Sequence, residues 1–399
     1  MDQRRRCETS RRRLLQFLAA SPLLAGGGAA VGQPDGVIAD PSQALNLFDF
    51  EAAMRKAVPP AHYGYMATGS DGELTLRANR AGFEKLQLRP RRLVDVSRID
   101  MGVELFGTRY DSPIALAPTG SNKAFHDDGE IAVARAARAG NHLQMLSTVA
   151  TTSIEDAIAA RGRPVWFQLY PTDDWKIGAA LARRAERAGA PVIVLTVDVL
   201  ARQNWEAFTR LWRSDTRACG SCHGLGIRAF VARKPHFDGL DVSGINSTGA
   251  TTLTWDTVKR LRDTVQARIV LKGILAPEDA ALATEHGVDG LIVSNHGGRS
   301  EDNGRATIDA LPDIVRTVGG RMPVLIDGGF RRGTDIVKAL ALGARAACIG
   351  RPYLWGLGAF GQPGVERVLQ ILRRETHAAM QQLGAPAIKD LAPGMVLRR

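Results

Sequence analysis

Four cysteines in 399 residues are too few to build a disulfide scaffold, and Cys7 sits in the first ten positions. Aromatic residues are sparse at 6% and nowhere interleave with basic ones, so a net charge of +11 does not point to nucleic acid. Part of that charge is local: Arg4, Arg5, Arg6, Arg11, Arg12 and Arg13 crowd the start against only Asp2 and Glu8. Without them 46 basic residues face 39 acidic ones, a mild excess that suits an acidic substrate or partner. No later apolar run is long enough to cross a membrane, and none repeats. What remains, 45% hydrophobic and 23% charged, has the make-up of a globular protein.

The segment "SRRRLLQFLAASPLLAGGGAAVG" has a basic start, an apolar stretch from Leu14 to Ala25 and small residues near Ala29 and Ala30. That is the pattern of a secretory signal, and Arg11-Arg12 after Ser10 makes it a twin-arginine type over residues 1–34. It predicts export to the periplasm, in solution or at a membrane surface, by a route that carries folded proteins. The alternative is a basic amphipathic N-terminus of a cytosolic protein.

Residues 43–100 read as helical at first ("ALNLFDFEAAMRKAV") and then irregular. From about 112 the pattern changes. Short apolar runs at 113–119, 143–148, 165–170, 191–198, 268–273, 290–297, 323–329 and 346–351 alternate with amphipathic ones at 128–139, 153–160, 174–188, 256–266, 277–286, 308–318 and 333–342, and a last helix is expected at 364–383. Eight strands, each ending in polar or glycine residues, predict an α/β fold, a TIM (β/α)8 barrel over about 112–360, preceded by a helical segment. A doubly wound open sheet is the alternative. The connection after strand 4, about 199–254, exceeds 50 residues, a length that usually marks function or mobility.

The strand ends carry the chemistry. "LIVSNHGGRSEDN" (291–303) leaves an apolar strand through His296, two glycines and Arg299. An arginine there can hold a carboxylate bidentately, and an imidazole beside it can act as a base near neutral pH. Asp198, ending strand 4, could orient that imidazole, and Lys272, ending strand 5, could stabilise negative charge on a cofactor. "IDGGFRRG" (326–333) and "IGR" (349–351) follow strands 7 and 8, where such barrels bind phosphate through glycine amides and cations, here Gly328, Gly329, Gly350, Arg331 and Arg351. The residues therefore point to a phosphate-bearing cofactor, a carboxylate substrate and a histidine base between them.

With "YMATGSDGELTLRANRAGF" (65–83), "PIALAPTG" (113–120), "FQLY" (167–170), "LTVD" (195–198), "LKG" (271–273), "VSNHGGR" (293–299), "DGGFRRGTDIVKALALGA" (327–344) and "IGRP" (349–352) in order, the chain from about 43 to 399 resembles the FMN-dependent α-hydroxy acid dehydrogenase/oxidase family. The resemblance implies FMN as cofactor and oxidation of an (S)-2-hydroxy acid, L-lactate or similar, to the 2-oxo acid. It makes His296 the base, Asp198 its partner and Tyr170 a catalytic and substrate-binding phenol, with Tyr65 and Arg299 on the substrate carboxylate. Pro118, Thr119, Ser147, Gln168 and Thr196 would contact the flavin ring and Lys272 its N1/C2 edge; Asp327, Arg331, Gly350 and Arg351 would hold the ribityl phosphate. The proton taken by His296 comes from the α-carbon or from the hydroxyl. A homo-oligomer, a tetramer, is also implied.

Some stretches depart from the family. Asn204 and Trp205 stand where many relatives have a further arginine, and Arg202 could substitute from another position. Gly120 and Val149 stand where many have larger side chains, which suggests a roomier pocket. Cys219-Gly-Ser-Cys222-His223 has the spacing of a c-type haem attachment, with His236 as a second axial ligand; a disulfide, free thiols or a metal are the other readings. Export favours a cytochrome or quinone as electron acceptor over oxygen. An oxygen-using oxidase, an FMN-barrel isomerase and a redox carrier built on the cysteine pair are the competing functions.

Overall fold

The eight apolar runs become eight parallel strands that close on themselves in the computed structural model, which describes residues 36–200, 204–216 and 226–399. In chain order they are β1 (Ile114–Leu116), β2 (Leu143–Ser147), β3 (Trp166–Leu169), β4 (Val192–Thr196), β5 (Arg268–Ile274), β6 (Gly290–Val293), β7 (Val324–Ile326) and β8 (Ala346–Ile349). Each pairs with the next, and β8 returns to β1 with Ala347 opposite Ile114. Closure removes the sheet edges and rules out the open doubly wound sheet. Residues 38–399 make one compact unit. The unit before it, 1–37, falls almost wholly outside the described residues, and the signal expected there with it. No helix among the described residues is long and apolar enough to cross a membrane.

Alternation along the strands sorts side chains. Val192, Val194, Val270, Ile292, Leu325, Met145 and Trp166 point inward and fill the barrel, so it is a packed core and not a pore. Its lower end is closed by a hairpin the sequence did not announce, Val103–Leu105 with Thr108–Tyr110. Phe106 and Gly107 turn it with φ of 50° and 76°, the paired positive values of a two-residue type I′ turn, and the Phe106 ring packs tilted against Trp166 at 5.5 Å. The usual asparagine or aspartate signal is missing there. A second unannounced pair, Leu86–Leu88 with Val396–Arg398, ties the N-terminal region to the C-terminus.

Three helices precede the barrel: α1 (Phe48–Ala57), α2 (Pro60–Ala67) and α3 (Leu74–Glu84). Around it follow α4 (Gly129–Ala139), α5 (Ile154–Arg161) and α6 (Trp175–Arg187). The connection after β4 is not the bare loop expected. Its described parts hold α7 (Glu206–Arg213), α8 (Gly226–Val231) and a 3-10 turn at Pro235–Phe237. Then come α9 (Trp255–Arg262), α10 (Pro277–Glu285), α11 (Thr307–Val318), α12 (Gly333–Ala341) and α13 (Arg351–Leu383). The last begins at the end of β8, well before the 364 expected, and breaks at Phe360 and Gly361, where Pro363 follows and Gly361 has φ 62°. Its first half, "RPYLWGLGAF", is buried on most sides and so shows no helical stripe.

Cys219, Cys222, His223 and Arg202 lie outside the described residues. His236 does not. Its ring is buried edge-on against Phe167 at 5.1 Å, with Nδ1 on the Thr148 carbonyl at 3.0 Å. Burial pushes His236 down to about 4, as it does His142, whose Nδ1 meets Ser112 Oγ at 3.0 Å. Both are neutral when folded and would take a proton near 6.5 when unfolded. The unfolded chain therefore binds more protons between about pH 6.5 and 4, and stability falls as pH drops through that window. A displacement from 6.5 to about 4 is worth roughly 3 kcal/mol per histidine at most. Urea midpoints at several pH values should decline across this window. His236→Asn should flatten the decline, and an unchanged slope would exclude His236 as a contributor.

Candidate active site

The C-terminal strand ends form a polar rim above the apolar core. Ser147 on β2 donates to Gln168 Oε1 on β3 at 3.0 Å, and Gln168 Nε2 donates to Thr196 Oγ1 on β4 at 3.0 Å. All three are buried, and together they run as a strip across three strand ends. Lys272 continues it on β5. Its ammonium lies 3.3 Å from Asp327 Oδ2 and donates to Ser294 Oγ at 2.9 Å. Burial pulls Lys272 down, but Asp327 and then Asp198 outweigh it, so the net displacement is upward and the lysine stays charged. Gly273 makes this crowding possible. It interrupts the β5 register with φ 115°, and a Cβ there would sit 2.6 Å from the Cβ of Asp198.

His296 follows β6 in the left-handed region, φ 56°, and Gly297 and Gly298 continue there at 66° and 75°. A non-glycine residue pays about 1 kcal/mol for this, and such strain persists only where the surroundings hold it. Here they do. The His296 amide donates to Ser294 Oγ at 3.1 Å, and a Cβ on Gly298 would meet the Leu76 backbone nitrogen at 2.6 Å. Below the turn, Asn295 and Asn79 of α3 exchange amide hydrogen bonds of 2.8 and 2.9 Å. That buried pair and Ser294 are functional supports the sequence reading missed. Asn79 and Asn295 lie 216 positions apart, and no local pattern links them.

The His296 side chain meets Asp198 and Tyr170. Nδ1 is 2.9 Å from Asp198 Oδ1 and Nε2 is 3.2 Å from the Tyr170 hydroxyl. Burial alone would raise Asp198, but His296 and Lys272 outweigh it and hold the carboxyl below its ordinary value. An ionised carboxylate only accepts, so Nδ1 donates to Asp198 and Nε2 is the nitrogen turned to Tyr170 and the site. Tyr170 is pushed up, by burial first and then by Asp198 and Tyr65, and stays a phenol that donates. Arg299 donates to the Thr68 carbonyl at 2.9 Å and lies 5.2 Å from the Tyr65 ring centroid and 4.6 Å from that of Trp205. No carboxylate among the described residues pairs with it. Every catalytic and substrate-binding residue expected from the sequence thus converges here.

A second cluster lies at the ends of β7 and β8. Arg331 is buried over the Trp355 ring at 4.5 Å, and Arg351 donates to the carbonyls of Met66, Thr68 and Gly297. Both are held below the ordinary arginine value by lost hydration first; for Arg351, Arg299 and Arg331 add repulsion. The amides of Gly328, Gly329 and Gly350 make no hydrogen bond among the described residues, and Gly350 caps the start of α13. Free amides, a helix N-terminus and crowded guanidiniums suit a phosphate. Gly328 and Gly329, φ 97° and 85°, also let the chain pass Thr307 and Asn79, whose atoms would lie 2.7 and 2.2 Å from added Cβ atoms. Asp327 Oδ1 is buried without a partner, an acceptor ready for a ribityl hydroxyl. Pro118 follows β1, and Thr119 bonds the Tyr353 hydroxyl and Asn122 beside Gly350. These residues fit FMN.

Gly120 packs directly on Val149: a Cβ on the glycine would lie 2.5 Å from Val149 Cγ2.

Residues 54–398 match the family model described as FMN-dependent dehydrogenase. The chain is 42% identical to an L-lactate oxidase of Lysinibacillus sphaericus (strain C3-41) over 86% of its length and 90% of that protein's. Its structure resembles that of a mandelate oxidase (TM-score 0.79, 36% identity, 89% of this chain and 98% of that one). It also resembles a G81A mutant of an active chimera of (S)-mandelate dehydrogenase (TM-score 0.78, 33% identity, 89% and 99%). Barrel, site and matches agree: the chain belongs to the FMN-dependent dehydrogenase family, whose members here oxidise 2-hydroxy acids.

Proposed function

We propose that the protein oxidises an (S)-2-hydroxy acid, L-lactate or a related acid, to the 2-oxo acid and passes the electrons to a cytochrome or quinone. The observation that carries the reading is the Asp198–His296–Tyr170 array, with Nε2 turned to Tyr170 and Arg299 facing no carboxylate among the described residues. FMN, when bound, would accept the two electrons and one of the two protons released as the C–OH carbon becomes C=O, and His296 the other proton. Arg299 and Tyr65 hold the substrate carboxylate, Tyr170 donates to the substrate oxygen, and His296 Nε2 takes the proton. Asp198 keeps the imidazole in its tautomer and offsets the charge it gains. Lys272, fixed by Asp327 and Ser294, would supply the cofactor with a cation that needs no rearrangement as negative charge develops.

The arginine-rich start of the chain supports an acceptor outside the cytoplasm. Oxygen is the second reading, favoured by relatives that bear the name oxidase. Turnover with lactate should reduce a soluble cytochrome or a quinone analogue without air. Hydrogen peroxide formed in air at the same rate would instead make oxygen the acceptor.

A further inference from the structure

Arg299 packs against two aromatic rings. Its guanidinium carbon lies 5.2 Å from the Tyr65 ring centroid and 4.6 Å from that of Trp205. Its only hydrogen bond among the described residues is from one terminal nitrogen to the Thr68 carbonyl, 2.9 Å. Tyr65 belongs to α2. Trp205 stands just before α7 in the connection after β4, where its indole Nε1 donates to the Arg299 carbonyl at 3.4 Å. Its position is fixed. The Asn204 carbonyl accepts from the Asp71 amide at 2.8 Å, Trp205 meets Phe208 edge-on at 6.0 Å, and α7 lies on α2 so closely that a Cβ on Gly64 would be 3.0 Å from Leu211.

A planar cation packed against two rings offers its hydrogen bonds along the edge they leave open. Four of the five N–H groups of Arg299 have no protein partner among the described residues. We propose that Trp205 is a positioning residue: it packs a second ring against Arg299 and so fixes the plane in which the substrate carboxylate docks, and with it the aim of the α-carbon at His296. The proposal rests on the reading of Arg299 as the carboxylate site. No cation stands at 204 or 205, so the indole tunes binding by geometry and adds no charge. Phenylalanine can keep a ring on the guanidinium face; alanine cannot.

The test uses the FMN-loaded protein and oxalate, a planar carboxylate that is not oxidised, with its dissociation constant read from the perturbed flavin spectrum. Trp205→Ala should weaken oxalate about tenfold and Trp205→Phe by no more than about threefold, the size of one partly desolvated cation–π contact. In an Arg299→Met background, Trp205→Ala should change nothing further, because the indole acts through the arginine. Equal oxalate affinity in Trp205→Ala and the parent overturns the proposal. So does an equal loss in both backgrounds, which would mean a general structural defect. If no hydroxy acid is oxidised by the parent, the functional reading fails, yet the oxalate cycle still decides the role of Trp205.

Discussion

His296→Ala is expected to slow substrate oxidation by at least about 10²–10⁴-fold while FMN stays bound. The expectation follows from what the imidazole touches. Nδ1 is committed to Asp198 and Nε2 faces Tyr170 and the substrate side, and neither is among the residues that cradle the cofactor. Tyr170 cannot take over, because burial and then Asp198 and Tyr65 hold it as a phenol, a donor and not a base. Asp198 cannot readily do so either, since it is held ionised behind the ring by His296 and Lys272. Stopped-flow mixing without air reads the reductive step alone. A loss under tenfold would move the base elsewhere, and loss of FMN from the variant would mean that the turn after β6 also supports the cofactor.

Lys272→Met carries the largest expected stability effect, about 3–5 kcal/mol. Lys272 and Asp327 are a buried pair at 3.3 Å, with side-chain exposures of 5% and 9%. Asp327 Oδ1 and Asp198 Oδ2 are already buried without partners, so the ammonium is the charge that compensates Asp327 and, after His296, Asp198. Removing it strands them, whereas removing the whole pair does not. Lys272→Met with Asp327→Asn should therefore recover much of the loss. The midpoint of urea unfolding, compared across the parent, the single and the double variant, reads this. A single variant as stable as the parent would show that the pair is not isolated from water.

The barrel was legible because its signals are local. Each inward strand needs a short run such as "PVIVLTVD", and each helix between strands shows its stripe within a dozen residues. The site was legible for a related reason: in this fold a polar residue at a strand end already has an address, so His296, Asp198, Lys272 and Arg331 could be placed before any coordinate. What escaped depends on distance or on hidden faces. Asn79 meets Asn295 across 216 positions, and the first half of α13 is buried on too many sides to show a stripe. The Phe106-Gly107 hairpin turns without its usual residues. Trp205 read only as a lost arginine, since its stacking on Arg299 joins the connection after β4 to the turn after β6.

The most direct test of the central claim is the absorption spectrum of the FMN-loaded protein without air, taken before and after adding L-lactate and then other (S)-2-hydroxy acids. The account predicts that the flavin band bleaches with at least one (S)-acid, stays unchanged with its (R)-enantiomer, and does not bleach on that timescale in His296→Ala. A parent flavin band left intact by every hydroxy acid would contradict it, leaving the fold and the cofactor site standing but the reaction wrong.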